Sequence, residues 1–189
     1  MVAGARTQYT EVESPLGTLL VVGESNSADE LSLTSLSMPD QRNAPVVDPA
    51  WRHAPESFRA IADQIRAYFA GELTEFDIEF ASTGTPFQRR VWEALERIPF
   101  GVSTTYGALA GDLGVPRDRI QALGAAIGAN PVLLIRPCHR VIGADGSMRG
   151  YAGGVERKVA LLTHEGVLQP ALLAPMVQPA TNTYESRQS

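Results

Sequence analysis

The one cysteine of this 189-residue chain, Cys138, stands in Arg136-Pro137-Cys138-His139-Arg140-Val141. A lone cysteine closes no disulfide within its own chain and offers no CxxC pair for zinc or a dithiol redox cycle. What remains is a buried structural cysteine or a nucleophile. Isolated cysteines are commonly buried as small hydrophobes. Here Arg136, Arg140 and the adjacent imidazole would each stabilise a thiolate, the reactive form, and they weigh for the nucleophile. Pro137 restricts its own backbone and that of Arg136, which pre-aims the thiol. Adjacent side chains in an extended segment point apart, so His139 is expected to reach Cys138 through a bridging water rather than directly. As a base, His139 needs an orienting acceptor. Glu165, in Thr163-His164-Glu165-Gly166, is the candidate, although its local sequence alone favours a solvated glutamate at a helix end. His164 reads as structural and His53 has no visible partner. Three scattered histidines and one cysteine make no metal site.

The elements that must position these groups fall into two parts. Residues 8–13 and 18–23 are strand-like and flank Ser14-Pro15-Leu16-Gly17, a turn signal, so a hairpin is expected, with a third strand within 30–38. From Pro55 to Ala70, Phe58, Ile61, Ile65, Tyr68 and Phe69 recur at helical spacing, and the spacing predicts a helix covering the sheet. Phe76, Ile78 and Phe80 alternate as a half-buried strand, and 81–84 reads as a linker. Thr85 then caps a helix with Pro86 at its first position and Phe87, Val91, Trp92, Leu95 and Ile98 on one face. Helical stretches 105–113 and 117–128, joined by Gly114-Val115-Pro116, have the form of a helix-turn-helix. In the second of these, Ile120, Leu123 and Ile127 are expected to face the core. Ala122, Ala125, Ala126 and Gly128 leave a smooth surface, suited to tight helix packing or to a target as narrow as the ~6 Å DNA minor groove. The expected division is a domain over 1–82, a second over 83–167 and a flexible tail over 168–189.

Composition bounds the function. With 44% hydrophobic residues the chain can bury a sizeable core. No apolar run approaches the ~20 residues of a membrane span, and the first residues lack a secretory pattern, so a cytoplasmic protein is expected. The net charge of -5 argues against non-specific nucleic-acid binding. Yet 86–166 holds ten Lys and Arg against seven Asp and Glu, and the rest of the chain six against fourteen. The mildly basic part leaves room for a local DNA-binding face.

Pro137-Cys138-His139-Arg140-Val141, preceded by Asn130-Pro131 and followed by Gly150-Tyr151-Ala152-Gly153-Gly154 and His164-Glu165-Gly166, resembles the O6-alkylguanine-DNA alkyltransferase family. Thr85-Pro86-Phe87-Gln88 through Val91-Trp92 to Ile98-Pro99-Phe100-Gly101, and Tyr106 after it, resemble the family's opening helices. The match is dense over 85–166 and looser over 8–80. The resemblance implies an α+β fold: a small ribonuclease H-like sheet-plus-helix domain followed by a mainly helical, winged helix-turn-helix-like domain. It implies single-turnover repair of duplex DNA containing O6-alkylguanine, bound through the minor groove, with the damaged base flipped out and its alkyl group moved to Cys138. No cofactor, metal or membrane is implied, and a monomer is expected. By the same resemblance His139 takes the thiol proton through water, Glu165 orients it, Asn130 braces the active-site turn and Tyr106 assists flipping and donates towards the leaving guanine. Tyr151, Val141, Met148, Gly150, Ala152 and Gly153 shape the pocket, and Arg140 joins Ala122, Ala125 and Ala126 in facing DNA.

Two positions depart from the family's pattern. Where it usually carries an arginine that fills the gap left by the flipped base, this chain has Gln121, with Arg119 as the nearby alternative. Arg136 stands where an aliphatic residue usually precedes Pro-Cys. Two other functions compete: a lesion-binding protein that recruits repair factors, disfavoured because Cys138 is present, and a cysteine hydrolase or redox sensor, which lacks an oxyanion-hole motif and a resolving cysteine.

Overall fold

A computed structural model describes residues 6–26, 30–81, 83–148 and 150–169. The expected tail from 170 onward and Ser82 in the expected linker lie outside them.

Strands β1 (Arg6–Ser14) and β2 (Gly17–Ser25) form the expected hairpin, with Ser14 paired to Gly17 across the turn. Gly17, at φ +99°, adopts a conformation that glycine reaches without a Cβ clash. β3 (Leu31–Ser37) adds antiparallel to β2. A short strand that alternation did not reveal, β4 (Arg52–His53), lies parallel to β1, giving the order β3-β2-β1-β4. His53, expected to be without a partner, packs against Tyr9 with ring centroids 5.2 Å apart.

A 3-10 turn, Pro55–Phe58, leads into α1 (Arg59–Phe69); Phe58 of the turn and Ile61, Ile65 and Tyr68 of the helix enter the core as the spacing predicts, Ala62 joins them, and Phe69 is only half-buried. The helix approaches so closely that a Cβ on Gly23 of β2 would stand 3.2 Å from the Phe58 ring and 2.9 Å from the Ser32 carbonyl. The expected strand at 76–80 is not formed. It reduces to a bridge between Leu33 and Phe80, because the segment only brushes β3, with Ala81 N–H donating to Leu33 O at 2.8 Å.

The second part opens with α2 (Pro86–Glu96) under a complete capping box: Thr85 Oγ1 accepts from Gln88 N–H, and the Gln88 side chain accepts from Thr85 N–H. Val91, Trp92 and Leu95 are buried, each worth about 1.5–3 kcal/mol of transfer free energy. Trp92 Nε1 donates to Ala126 O at 2.8 Å, which ties α2 to the helix that carries Ala126. β5 (Thr104–Thr105) precedes α3 (Tyr106–Asp112), and Thr105 Oγ1 caps that helix. Gly114, at φ +62°, makes the turn, and a 3-10 turn (Arg117–Arg119) leads into α4 (Ile120–Gly128). α3, turn and α4 make the expected helix-turn-helix, with one difference. Ile120, expected in the core, is 36% exposed, since the 3-10 turn rotates the start of the helix outward. β6 (Val141–Ile142) pairs with β5, and α5 (Val155–His164) closes the fold.

The two parts share one core. Leu36 N–H donates to Pro131 O at 2.9 Å, and Leu133 N–H donates to Leu36 O at 3.0 Å. The segment leading to Cys138 is thereby seated on β3. Tyr68, Leu33 and Leu36 join one buried cluster with Leu133, Leu134, Cys138 and Leu161. Among the described residues no helix is long and apolar enough to cross a membrane.

Candidate active site

Between Asn130 and Cys138 the chain is tightly folded. Leu134, buried, takes φ +71°, a left-handed conformation costly for a branched residue, by about 1–3 kcal/mol. Asn130 holds this loop from inside. Its Nδ2 donates to Val132 O (3.4 Å), Arg136 O (2.9 Å) and Cys138 Sγ (3.2 Å), and its Oδ1 accepts from Val132 N–H (3.1 Å). The expected bracing by Asn130 thus has a geometry, and the same amide touches the sulfur.

Cys138 begins a 3-10 turn, Cys138–Arg140, so adjacent side chains are not forced to opposite faces. No direct hydrogen bond joins Cys138 and His139 among the described residues, and the reason is the direction of the imidazole. His139 is fully buried, and its Nε2 lies 2.9 Å from Glu165 Oε1. A carboxylate accepts, so Nε2 carries the proton and Nδ1 is left as an acceptor. Nδ1 has no hydrogen-bond partner among the described residues. This is the tautomer required of a base. Burial lowers the His139 pKa, against the opposing pull of Glu165, which keeps the ring neutral and able to take a proton.

Glu165 is the largest revision of a local expectation. It is 4% exposed rather than solvated. Oε1 accepts from Tyr68 Oη (2.7 Å), His139 Nε2 (2.9 Å) and Arg140 Nη2 (2.9 Å), and Oε2 accepts from Arg140 Nε (2.8 Å). Burial alone would raise its pKa; the hydrogen bonds from His139 and Arg140 outweigh burial and hold it at about 2. Arg140 also donates to Ile98 O at 2.5 Å. It was expected on the DNA face, but its guanidinium is consumed by this interior carboxylate. Ala126 is corrected likewise: it is buried under α2. His164 is structural as expected, its Nε2 2.7 Å from Tyr68 O.

The thiol is 4% exposed, and burial raises its pKa; Asn130 Nδ2, Lys158 and Arg136 pull the other way. Of the groups expected to favour the thiolate, Arg136 does so, whereas Arg140 faces Glu165. Tyr106, at the start of α3, turns its hydroxyl towards Gly150, where an added Cβ would stand 3.2 Å away. Burial and then the charge at Cys138 raise the Tyr106 pKa, so it carries its proton. Tyr151 is buried with its ring edge-on to His139, centroids 6.4 Å apart, and burial raises its pKa as well. A Cβ on Gly153 would lie 2.6 Å from Met38 Sδ and 2.7 Å from Tyr151 Cε1, so only glycine fits.

Gly150, Tyr151, Ala152 and Gly153 line a cleft of about 560 Å³ together with Gly124 and Gly128 of α4 and Asp40, Arg42 and Asn43 from the loop after β3. Val141 is buried beside the thiol loop, and Met148 is half-buried; neither lines this cleft. On α4, Gln121, Ala122 and Ala125 are exposed, as is Arg119 before it. An added Cβ on Gly124 or Gly128 would meet no atom within 4 Å, so this face is open.

Three contributors escaped the sequence reading. Tyr68 reads as one more apolar position of α1. Met38, whose Sδ lies 3.8 Å from Tyr151 Oη, carries no local signal. Lys158, the chain's single lysine, is buried and donates from Nζ to Val141 O at 2.5 Å, with Nζ 5.9 Å from the Tyr106 ring centre. Its rarity was the only available clue. Among the described residues no cluster of His, Cys, Asp or Glu could hold a metal ion.

Comparison with known proteins converges with this geometry. Residues 7–82 match the family model for the ribonuclease-like domain of 6-O-methylguanine DNA methyltransferase, and 86–167 match that for its DNA-binding domain. A methylated-DNA--protein-cysteine methyltransferase of Mycolicibacterium paratuberculosis is 45% identical over 166 residues, covering 88% of this chain and 96% of that protein. One from Methanosarcina acetivorans is 42% identical over 84% of this chain and 97% of its own length. The crystal structure of Mycobacterium tuberculosis OGT in complex with DNA superposes with a TM-score of 0.73 at 43% identity, covering 87% of this chain and 96% of that one. With both halves matched, and with relatives of this name 42–45% identical over most of the chain, the chain belongs to the 6-O-methylguanine DNA methyltransferase family.

Proposed function

We propose that this protein repairs DNA directly, moving an alkyl group from O6 of guanine in duplex DNA to Cys138, once per molecule. One observation carries the reading: the only thiol is held by Asn130 beside a neutral imidazole whose base nitrogen has no hydrogen-bond partner among the described residues.

The O6 alkyl carbon is out of reach while its base is stacked, so the base must be flipped out of the duplex. The exposed face of α4, where Gln121, Ala122, Gly124, Ala125 and Gly128 present little bulk, enters the minor groove. Gln121 or Arg119 occupies the gap in the stack, and the flipped guanine passes the 150–153 loop towards Cys138, which lies behind Tyr151 and does not itself line the open cleft. The Cys138 S–H proton passes through a bridging water to His139 Nδ1. Glu165 steadies the imidazolium that forms. The thiolate attacks the alkyl carbon in line with the C–O6 bond; the S–C bond forms as C–O6 breaks, and the bonding electrons leave with guanine. Tyr106, which retains its proton, donates towards the departing base. The thioether is stable and nothing regenerates the thiol. On this reading the protein acts in the cytoplasm, on DNA held there.

Incubation with duplex oligonucleotide containing O6-methylguanine should add one methyl mass to the peptide bearing Cys138, with at most one turnover. Cys138→Ala should lose transfer and keep most of the DNA binding. Lesion-specific binding by the unaltered protein without any mass gain would instead favour a lesion-binding protein.

A further inference from the structure

We infer that Arg136 is a positioning residue for the transfer: its buried cation locks the Asn130 amide with Nδ2 towards the Cys138 sulfur and thereby favours the thiolate. The inference rests on Cys138 being the alkyl acceptor.

Arg136 is 1% exposed. Its guanidinium carbon sits 4.8 Å from the ring centre of Phe80 and 4.7 Å from that of Trp92, so the planar group is held between two aromatic rings. Nε donates to Glu96 Oε1 at 2.8 Å, and Glu96 is partly solvated, with 39% of its side chain exposed. These contacts account for tolerating a buried cation, since an unpaired one would be strongly unfavourable. They do not account for its remaining direction. Nη1 points at Asn130 Oδ1, 3.3 Å away.

A guanidinium has donors and no acceptor, so the atom it faces on Asn130 must be oxygen. Val132 N–H makes the same demand from the backbone. With both donors on Oδ1, the amide cannot turn over, and Nδ2 is committed to Arg136 O and Cys138 Sγ. A donor aimed at sulfur stabilises thiolate over thiol, and donation into Oδ1 polarises the amide so that its N–H donates more strongly. The charge of Arg136 acts in the same direction. An aliphatic side chain before Pro137 would supply neither effect. Among the described residues, the other charged or titratable groups around the sulfur are Lys158 of α5, Tyr106 of α3, Tyr151 of the 150–154 loop and the buried set His139, Glu165 and Arg140. Glu96 of α2 stands behind Arg136.

Arg136→Met keeps an unbranched side chain between the two rings without the charge, and Glu96→Gln, at a partly exposed site, leaves the cation less neutralised. In the full chain, the pH dependence of Cys138 alkylation by iodoacetamide reports the thiol pKa, read beside methyl transfer from the lesion duplex. Arg136→Met should raise the apparent thiol pKa by about half a unit or more and slow transfer near neutral pH about threefold, and Glu96→Gln should lower it. A purely structural Arg136 would change stability while leaving both pH profiles where they were. An unchanged profile in folded Arg136→Met, or an upward shift in Glu96→Gln, overturns the inference. Should Arg136→Met not fold, Glu96→Gln decides alone, and an unshifted profile there counts against it. Failure of the unaltered protein to take up methyl would remove Cys138 as acceptor, while the iodoacetamide profiles still report whether Arg136 tunes the thiol.

Discussion

Replacing Glu165 by glutamine keeps the shape of the side chain and removes one buried charge. Four donors converge on the carboxylate, three at Oε1 and one at Oε2, and its side chain is fully buried. A glutamine cannot satisfy them, because whichever way its amide turns, an NH2 faces at least one N–H or O–H. Arg140 would keep Ile98 O as acceptor but lose its counter-charge. Leaving one partner of a buried pair uncompensated costs about 3–5 kcal/mol. That is a large share of the ~5–15 kcal/mol that holds a typical domain folded. At a urea dependence of about 2 kcal/mol/M, the unfolding midpoint should fall by roughly 2 M. Tyr68→Phe, which removes one hydrogen bond to the same charge, should cost less, about 1.5–3 kcal/mol. The pH dependence is a second test. Glu165 titrates near 2 when folded and near 4.5 without its partners, so its stabilisation is complete above about pH 4.5 and is lost as pH falls towards 2. The gap between the unaltered protein and Glu165→Gln should therefore narrow over that interval. A loss below about 1 kcal/mol at neutral pH, or a gap that does not change between pH 5 and pH 2.5, would refute the buried-carboxylate account.

Gly153→Ala would drive a methyl group against Met38 and Tyr151; about 1–3 kcal/mol of stability should be lost, and Tyr151 should be displaced enough to slow transfer in a single-turnover assay. Gln121→Arg should tighten binding to a lesion duplex several-fold at low salt by adding a cation at the exposed start of α4. If Arg119→Ala proves the damaging change, Arg119 fills the stack instead, as titration by fluorescence anisotropy would show. Lys158→Met should raise the apparent thiol pKa, because Lys158 Nζ is one of the cations that favour the Cys138 thiolate; an unchanged iodoacetamide profile would count against that role.

Much of the chemistry is written locally. A proline beside a lone cysteine, a neighbouring histidine, the Thr85-to-Gln88 capping box and the alternation of the first hairpin are short-range patterns, and short-range geometry decides them. Segments of few residues with weak pairing were harder to see. Residues 76–80 alternate like a strand yet touch β3 at one bridge, while β4, β5 and β6 have two residues each and owe their existence to the strand beside them.

One thiol, one adjacent imidazole and a helix with a smooth face are matters of residue type and spacing, and all three are legible in the chain before it folds. The charge each group feels depends instead on the folded arrangement. Glu165 lies 26 residues from His139 and 97 from Tyr68, and burial makes their meeting stronger than any local cue. Arg140 changes from a DNA-facing cation to the partner of an interior carboxylate for the same reason. Arg136 changes from an unexplained departure to a cation held between Phe80 and Trp92 and aimed at Asn130. Electrostatic effects depend on distance and on exclusion of water, and in this chain the fold sets both.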